Sequence, residues 1–283
     1  MKKDKTHIHW YPGHIAKAER KLKEQLSLVD AVIEVLDARI PLSSGYDNIA
    51  GLLKDKPRLI LFNKSDLADK AKLKAFAKKI ETESGFPVIF SDAKNSKDLN
   101  QIVKKAVELS EPRIQAIMKK GLLRRPARVM VVGMPNVGKS SIINKLTRSS
   151  KTKIGAKAGV TRQQQWVRIN PQLDLLDTPG IIPMKQDDQN RAQKLAFVNS
   201  VSENAYSNEI VAEELLKLLS EKYPQIVKDY YKLDNDISLI NIAIARNWIK
   251  TGGEADLERT AIYILRDFRE GKIGKFVLDD IEE

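Results

Sequence analysis

Gly133-Met134-Pro135-Asn136-Val137-Gly138-Lys139-Ser140 reads as G-x-x-x-x-G-K-[ST]. Its neighbours place it between a strand and a helix: Arg128–Val132 is a short apolar run, and Lys139–Thr147 carries helical spacing. Glycines at both ends let the backbone curl so that its N–H groups face phosphate oxygens. In such a loop Lys139 reaches the β- and γ-phosphates and the Ser140 hydroxyl holds Mg2+, with Val137, Gly138 and Ser141 lining the same phosphates. Four fixed positions at the right spacing, in the right context, leave little room for coincidence.

Further apolar runs of strand length lie at Val29–Leu36, Arg58–Phe62, Val88–Phe90, Trp166–Ile169 and Leu173–Leu176. Amphipathic helical segments separate most of them: Ile15–Leu28, Leu67–Ser84 and Asp98–Leu109. This alternation predicts an α/β fold with a six-stranded, mostly parallel sheet covered on both faces. Past about residue 185 only helices are expected, at Ala192–Glu203, Asn208–Leu219, Ile237–Lys250 and Ala255–Arg269, with Gly252-Gly253 separating the last two. The expected organisation is one nucleotide-binding domain over 1–184 and a small all-helical domain over 185–283.

The P-loop alone does not choose between adenine and guanine. Asn63-Lys64-Ser65-Asp66 does, because it follows a predicted strand and so sits at the carboxyl edge where such sheets bind ligands. The Asp66 carboxylate can accept two hydrogen bonds from guanine, at N1–H and the 2-amino group, and adenine offers neither. Ser91-Asp92-Ala93-Lys94 resembles the weaker Ser-Ala-Lys base-contact motif, with Asp92 standing where serine is usual. Asp177-Thr178-Pro179-Gly180 ends the Leu173–Leu176 strand; its Asp is expected on the magnesium through water and the Gly180 N–H at the γ-phosphate. Thr161, in a loop before the next strand, is the candidate switch threonine that closes over Mg2+.

These five motifs are those of GTPases in rotated order, with the base-reading pair ahead of the P-loop. Joining the old termini and opening a new break builds the same sheet, and Ser110–Arg125 is the expected join. With Trp10-Tyr11-Pro12-Gly13-His14 in front, Leu36-Asp37-Ala38-Arg39-Ile40-Pro41 within, and a helical tail behind, the chain resembles the ribosome biogenesis GTPase A (YlqF-type) family over nearly its whole length. The resemblance implies a circularly permuted GTPase acting in assembly of the large (50S) ribosomal subunit, with the tail on ribosomal RNA. It also implies a water-aligning role for His14, since Ile181 stands where Ras-type enzymes place a glutamine. Read from the residues alone, His14 is better explained as a helix-start or solvent-facing residue. Similarity to GTPases lacking that glutamine implies that Asn136 helps hold K+ against the phosphates. Ile181 equally allows an RNA-bound guanine-nucleotide sensor with little turnover.

Charge agrees with a polyanionic partner. The net charge is +12, yet between Pro112 and Leu173 there are 14 Lys or Arg and no Asp or Glu, while the rest of the chain is close to neutral. Lys119, Lys120, Arg124, Arg125, Lys151, Lys153 and Lys157 are the cations expected to be free for RNA. Zero cysteines exclude disulfides and Cys-based metal sites, and His7 and His9 are too few for a metal pair. No apolar run nears the roughly 20 residues of a membrane span, and Met1–Trp10 lacks the apolar core of a signal peptide, so a cytoplasmic protein is expected.

Overall fold

The computed structural model describes residues 20, 22–46, 49–54, 56–92, 97–149, 166–176, 180–181 and 188–281. Six strands form one sheet: β1 Ala31–Asp37, β2 Arg58–Asn63, β3 Val88–Ser91, β4 Ala127–Gly133, β5 Trp166–Asn170 and β6 Leu173–Leu176. Their order is β3-β2-β1-β4-β6-β5, and a seventh, two-residue strand β7 (Gly180–Ile181) pairs with β4. All neighbours are parallel except β5, which turns back antiparallel on β6 at the edge. Every residue of β1 and β2 is buried, as expected for central strands covered on both faces.

Helices α1 Ile49–Leu53, α2 Lys70–Ser84, α3 Lys97–Lys119 and α4 Lys139–Ser149 accompany the sheet. The Asp69 side chain caps α2 by accepting from the Ala71 and Lys72 N–H groups, and Gly85 ends it at φ 71. The join between old termini differs from expectation. Where Ser110–Arg125 was read as linker, α3 runs on through Pro112 to Lys119. Ile114 is buried at 2% on the same face as Ile102 and Ala106, and that apolar stripe outweighs the proline.

After residue 188 the described chain is helical: α5 Gln189–Phe197, α6 Asn208–Lys222, α7 Pro224–Tyr231, α8 Leu239–Ala245 and α9 Leu257–Arg269. The sequence reading missed α1 and α7; Pro224 opens α7 at a position where its missing N–H costs nothing. α8 is shorter than the expected Ile237–Lys250, because Ile249 pairs with Ala255 across a turn formed by Gly252 and Gly253, both at positive φ. One apolar core runs from the sheet (Val129, Val131, Leu175) into the tail (Leu195, Leu215, Ile264). The Arg269 guanidinium fastens the tail helices to one another, donating to Ala196 O, Phe197 O, Tyr206 Oη and Glu203. Among the described residues no helix is long and apolar enough to cross a membrane.

Candidate nucleotide-binding site

The carboxyl ends of β4, β2 and β3 meet at one edge of the sheet, and each delivers a predicted motif. From β4 the chain enters the P-loop. Gly133 stands at φ 152, where a Cβ would come within 2.5 Å of Val35 O, and Gly138 at φ 104, where one would come within 2.0 Å of Asn63 Nδ2. Both positions therefore exclude a side chain on space as well as on dihedral. Val137 is fully buried and anchors the loop, while Ser140 and Ser141 are exposed at the start of α4. Lys139 turns its ammonium onto Met134 O at 2.6 Å, and burial brings its pKa down to about 8.

From β2 comes the turn expected to read the base. Asn63 donates from Nδ2 to Val137 O at 2.8 Å, and Lys64 donates from Nζ to Asn136 O at 2.8 Å, so both clasp the P-loop. Lys64 is left-handed at φ 60, and Ser65–Leu67 form one 3-10 turn that carries a half-buried Asp66. Asn63 Oδ1 is buried with no hydrogen-bond partner among the described residues. Such an orphaned acceptor beside a crowded glycine loop fits a site completed by a ligand that donates hydrogen bonds.

Register brings in the third motif: Asn63 faces Ser91 across β2 and β3. Ser91 is buried, and the Asp92 N–H donates to Asp98 Oδ2 at 3.3 Å, toward the start of α3. β7 pairs Val132 with Gly180 and Gly133 with Ile181, which sets the Gly180 backbone beside the entrance to the P-loop. His14, Thr161 and Asp177 lie outside the described residues, so of the expected magnesium set only Ser140 is placed. Among the described residues no group of three or more His, Asp or Glu side chains could hold a metal. The Asn136 side chain is exposed, stands on a left-handed backbone at φ 57, and donates to Asn199 O at 2.6 Å.

Sequence reasoning gave no role to Asp37 and Arg39. Asp37 ends β1 opposite Asn63 and is fully buried. Burial alone would raise its pKa, but Arg39, at 2.9 and 2.8 Å, and Lys64, at 2.8 Å, hold the carboxyl far below the usual range. The signal available was an aspartate closing a buried strand with an arginine two residues on. The basic stretch also needs correction. Arg124 forms a two-pronged pair with Glu111, and Arg125 another with the buried Asp30, so neither is free for RNA. Their partners lie outside the acid-free stretch and were invisible to a count along the chain. Lys119 and Lys120 are exposed and make no ion pair among the described residues, whereas Lys151, Lys153 and Lys157 lie outside those residues.

A phosphate loop opening a helix, with an N-K-x-D turn clasped to it from the neighbouring strand, defines a P-loop GTPase whose base motif precedes its phosphate motif. A family model described as "50S ribosome-binding GTPase" matches residues 128–243. The ribosome biogenesis GTPase A of Bacillus licheniformis is 38% identical, over 98% of this chain and 99% of its own length. That of Thermotoga maritima is 31% identical, over 98% and 95%. The solved GNP-bound YlqF from T. maritima is 28% identical with a TM-score of 0.62, covering 94% of this chain and all of its own. A GDP-bound YlqF reaches a TM-score of 0.65 at 26% identity. The chain belongs to the ribosome biogenesis GTPase A family.

Proposed function

We propose that this GTPase serves assembly of the large ribosomal subunit in the cytoplasm, binding its precursor and ribosomal RNA according to nucleotide state. The observation that carries the guanine-nucleotide part is the clasp of Asn63 and Lys64 on the P-loop, which fixes Asp66 at the edge where a base would lie. Lys139 and the loop N–H groups would hold the phosphates, and Ser140, Thr161 and Asp177 would hold Mg2+, which supplies charge neutralisation on the γ-phosphate. A K+ ion against Asn136 would add to it. His14 would align the attacking water, because Ile181 has no group that can; turnover without a partner is then slow. The helical part over 185–283 would carry RNA contacts beside the basic stretch. Family membership and the net charge of +12 support a ribosomal partner.

Ile181 also supports the reading of a nucleotide sensor that barely turns over. GTP turnover with and without separated 50S particles distinguishes the two, since the enzyme reading requires marked stimulation. Guanine reading is tested by Asp66→Asn, which should weaken GTP and improve xanthosine triphosphate by about tenfold or more each. An unchanged preference for GTP would remove Asp66 from base recognition.

A further inference from the structure

Residues 271–279 leave α9 as a segment without helix or strand and pass beneath the guanine-side turn. Phe276 N–H donates to Leu67 O at 3.2 Å, and Leu67 is the last residue of the turn that carries Asp66. Gly271, at φ 73, packs so closely on Leu67 that a Cβ would lie 2.6 Å from its Cδ2. Val277 is buried in the same apolar cluster as Phe62 and Ala68, which flank the turn. Leu278 N–H then donates to Arg39 O at 2.8 Å. Asp279 accepts from Leu42 N–H at 2.8 Å, Ser43 N–H at 2.9 Å and Ser43 Oγ at 2.6 Å, and meets Lys194 at 3.2 Å. Arg39 lies over the Phe268 ring, grips Asp37, and Asp37 grips Lys64.

We propose that segment 271–279 is a brace for guanine recognition, with Asp279, Arg39 and Asp37 as positioning residues. The turn it supports is not self-sufficient. Lys64 is a non-glycine residue at φ 60, a conformation that persists only where its surroundings over-determine it. On one side those surroundings are the P-loop carbonyls; on the other they are this segment, whose anchor at Asp279 is 237 residues beyond its partner Leu42. A carboxylate that must meet two base donors at once tolerates little displacement. Phosphate binding, which rests on β4 and α4, tolerates more. Loosening the brace should therefore cost base discrimination before it costs nucleotide binding as such. This rests on the reading of Asp66 as the base contact.

The experiment is competition binding of GDP and inosine diphosphate to the full chain. Inosine diphosphate lacks the 2-amino group and so one of the two Asp66 hydrogen bonds. Wild type should prefer GDP, and Asp66→Asn should lose the preference; a wild type without preference overturns the Asp66 reading and the brace with it. Given that preference, Asp279→Ala should weaken GDP by roughly tenfold while inosine diphosphate changes much less, so the ratio narrows. Asp279→Ala also removes one ion-pair partner from the buried Lys194, so a second variant, Gly271→Ala, guards against a failure to fold. It leaves every ion pair intact, presses on Leu67, and should narrow the ratio in the same direction. A proportional loss of both nucleotides in these variants, or no loss of either, overturns the brace, because a merely structural role moves the two affinities together.

Discussion

Lys139 is the charged side chain of the P-loop, proposed to meet the phosphates, and in this structure its ammonium rests on a carbonyl inside a shell that leaves it 7% exposed. Burial lowers its pKa from 10.5 to about 8. The sign of the consequence follows from proton counts. Between about pH 8 and 10.5 the unfolded chain holds more protons on this group than the folded one, so its burial weighs against folding most below pH 8 and is relieved as pH rises through that window. Binding works the other way, because phosphates favour the ammonium. Above pH 8 nucleotide binding should take up a proton, and affinity should fall by up to about tenfold per pH unit. Calorimetry at pH 9 in buffers of different protonation enthalpy measures the uptake directly. Lys139→Arg, which keeps its charge, should show none from this site; a wild type that binds without uptake would mean that Lys139 stays charged in the empty loop.

At the scale of elements, α3 is where local rules and tertiary packing disagree. Pro112 is exposed and removes a backbone donor from a helix that nonetheless continues to Lys119. Pro112→Ala restores the donor and loses no buried contact. Part of the gain is returned through a more flexible unfolded chain, leaving about 1 kcal/mol, or roughly 2–4 °C in melting temperature. Calorimetric or circular-dichroism melts decide it, and a lower melting temperature would show that the ring stiffens the join more than it strains it. The same contrast explains what could be read in advance. β1, β2, β4 and β6 are mostly apolar runs, and the P-loop and Asn63–Asp66 are local patterns, so sequence places them within a residue or two. α1, at five residues, is too short to show periodicity. The Asp37–Lys64 pair and the Asp279 anchor depend on pairings between distant segments, which leave no local trace.

For the molecule as a whole, the excess of positive charge is smaller in effect than in number. Asp30 alone is paired with Arg113 and Arg125, Glu111 with Arg124 and Asp174 with Arg168, so four of the 14 cations of the basic stretch face carboxylates at the amino end of the sheet. Lys119 and Lys120 remain exposed without ion pairs among the described residues. Each phosphate contact contributes roughly 0.7–0.9 to the slope of log affinity against log salt. Converting both lysines to alanine should therefore lower the slope for ribosomal RNA by about 1.4–1.8. Removing Arg124 and Arg125 should change it less and lower the melting temperature more. Binding across a KCl series settles this; equal slopes for wild type and the lysine variant would place the RNA contacts elsewhere. The position of segment 271–279 has one more consequence, in the order of synthesis. The turn at Asn63–Asp66 leaves a translating ribosome early, and its brace only after every helix and strand described here. At 5–20 residues per second the two are separated by on the order of ten to forty seconds. A nascent chain would thus own a phosphate loop well before the segment that steadies its Asn63–Asp66 turn could dock.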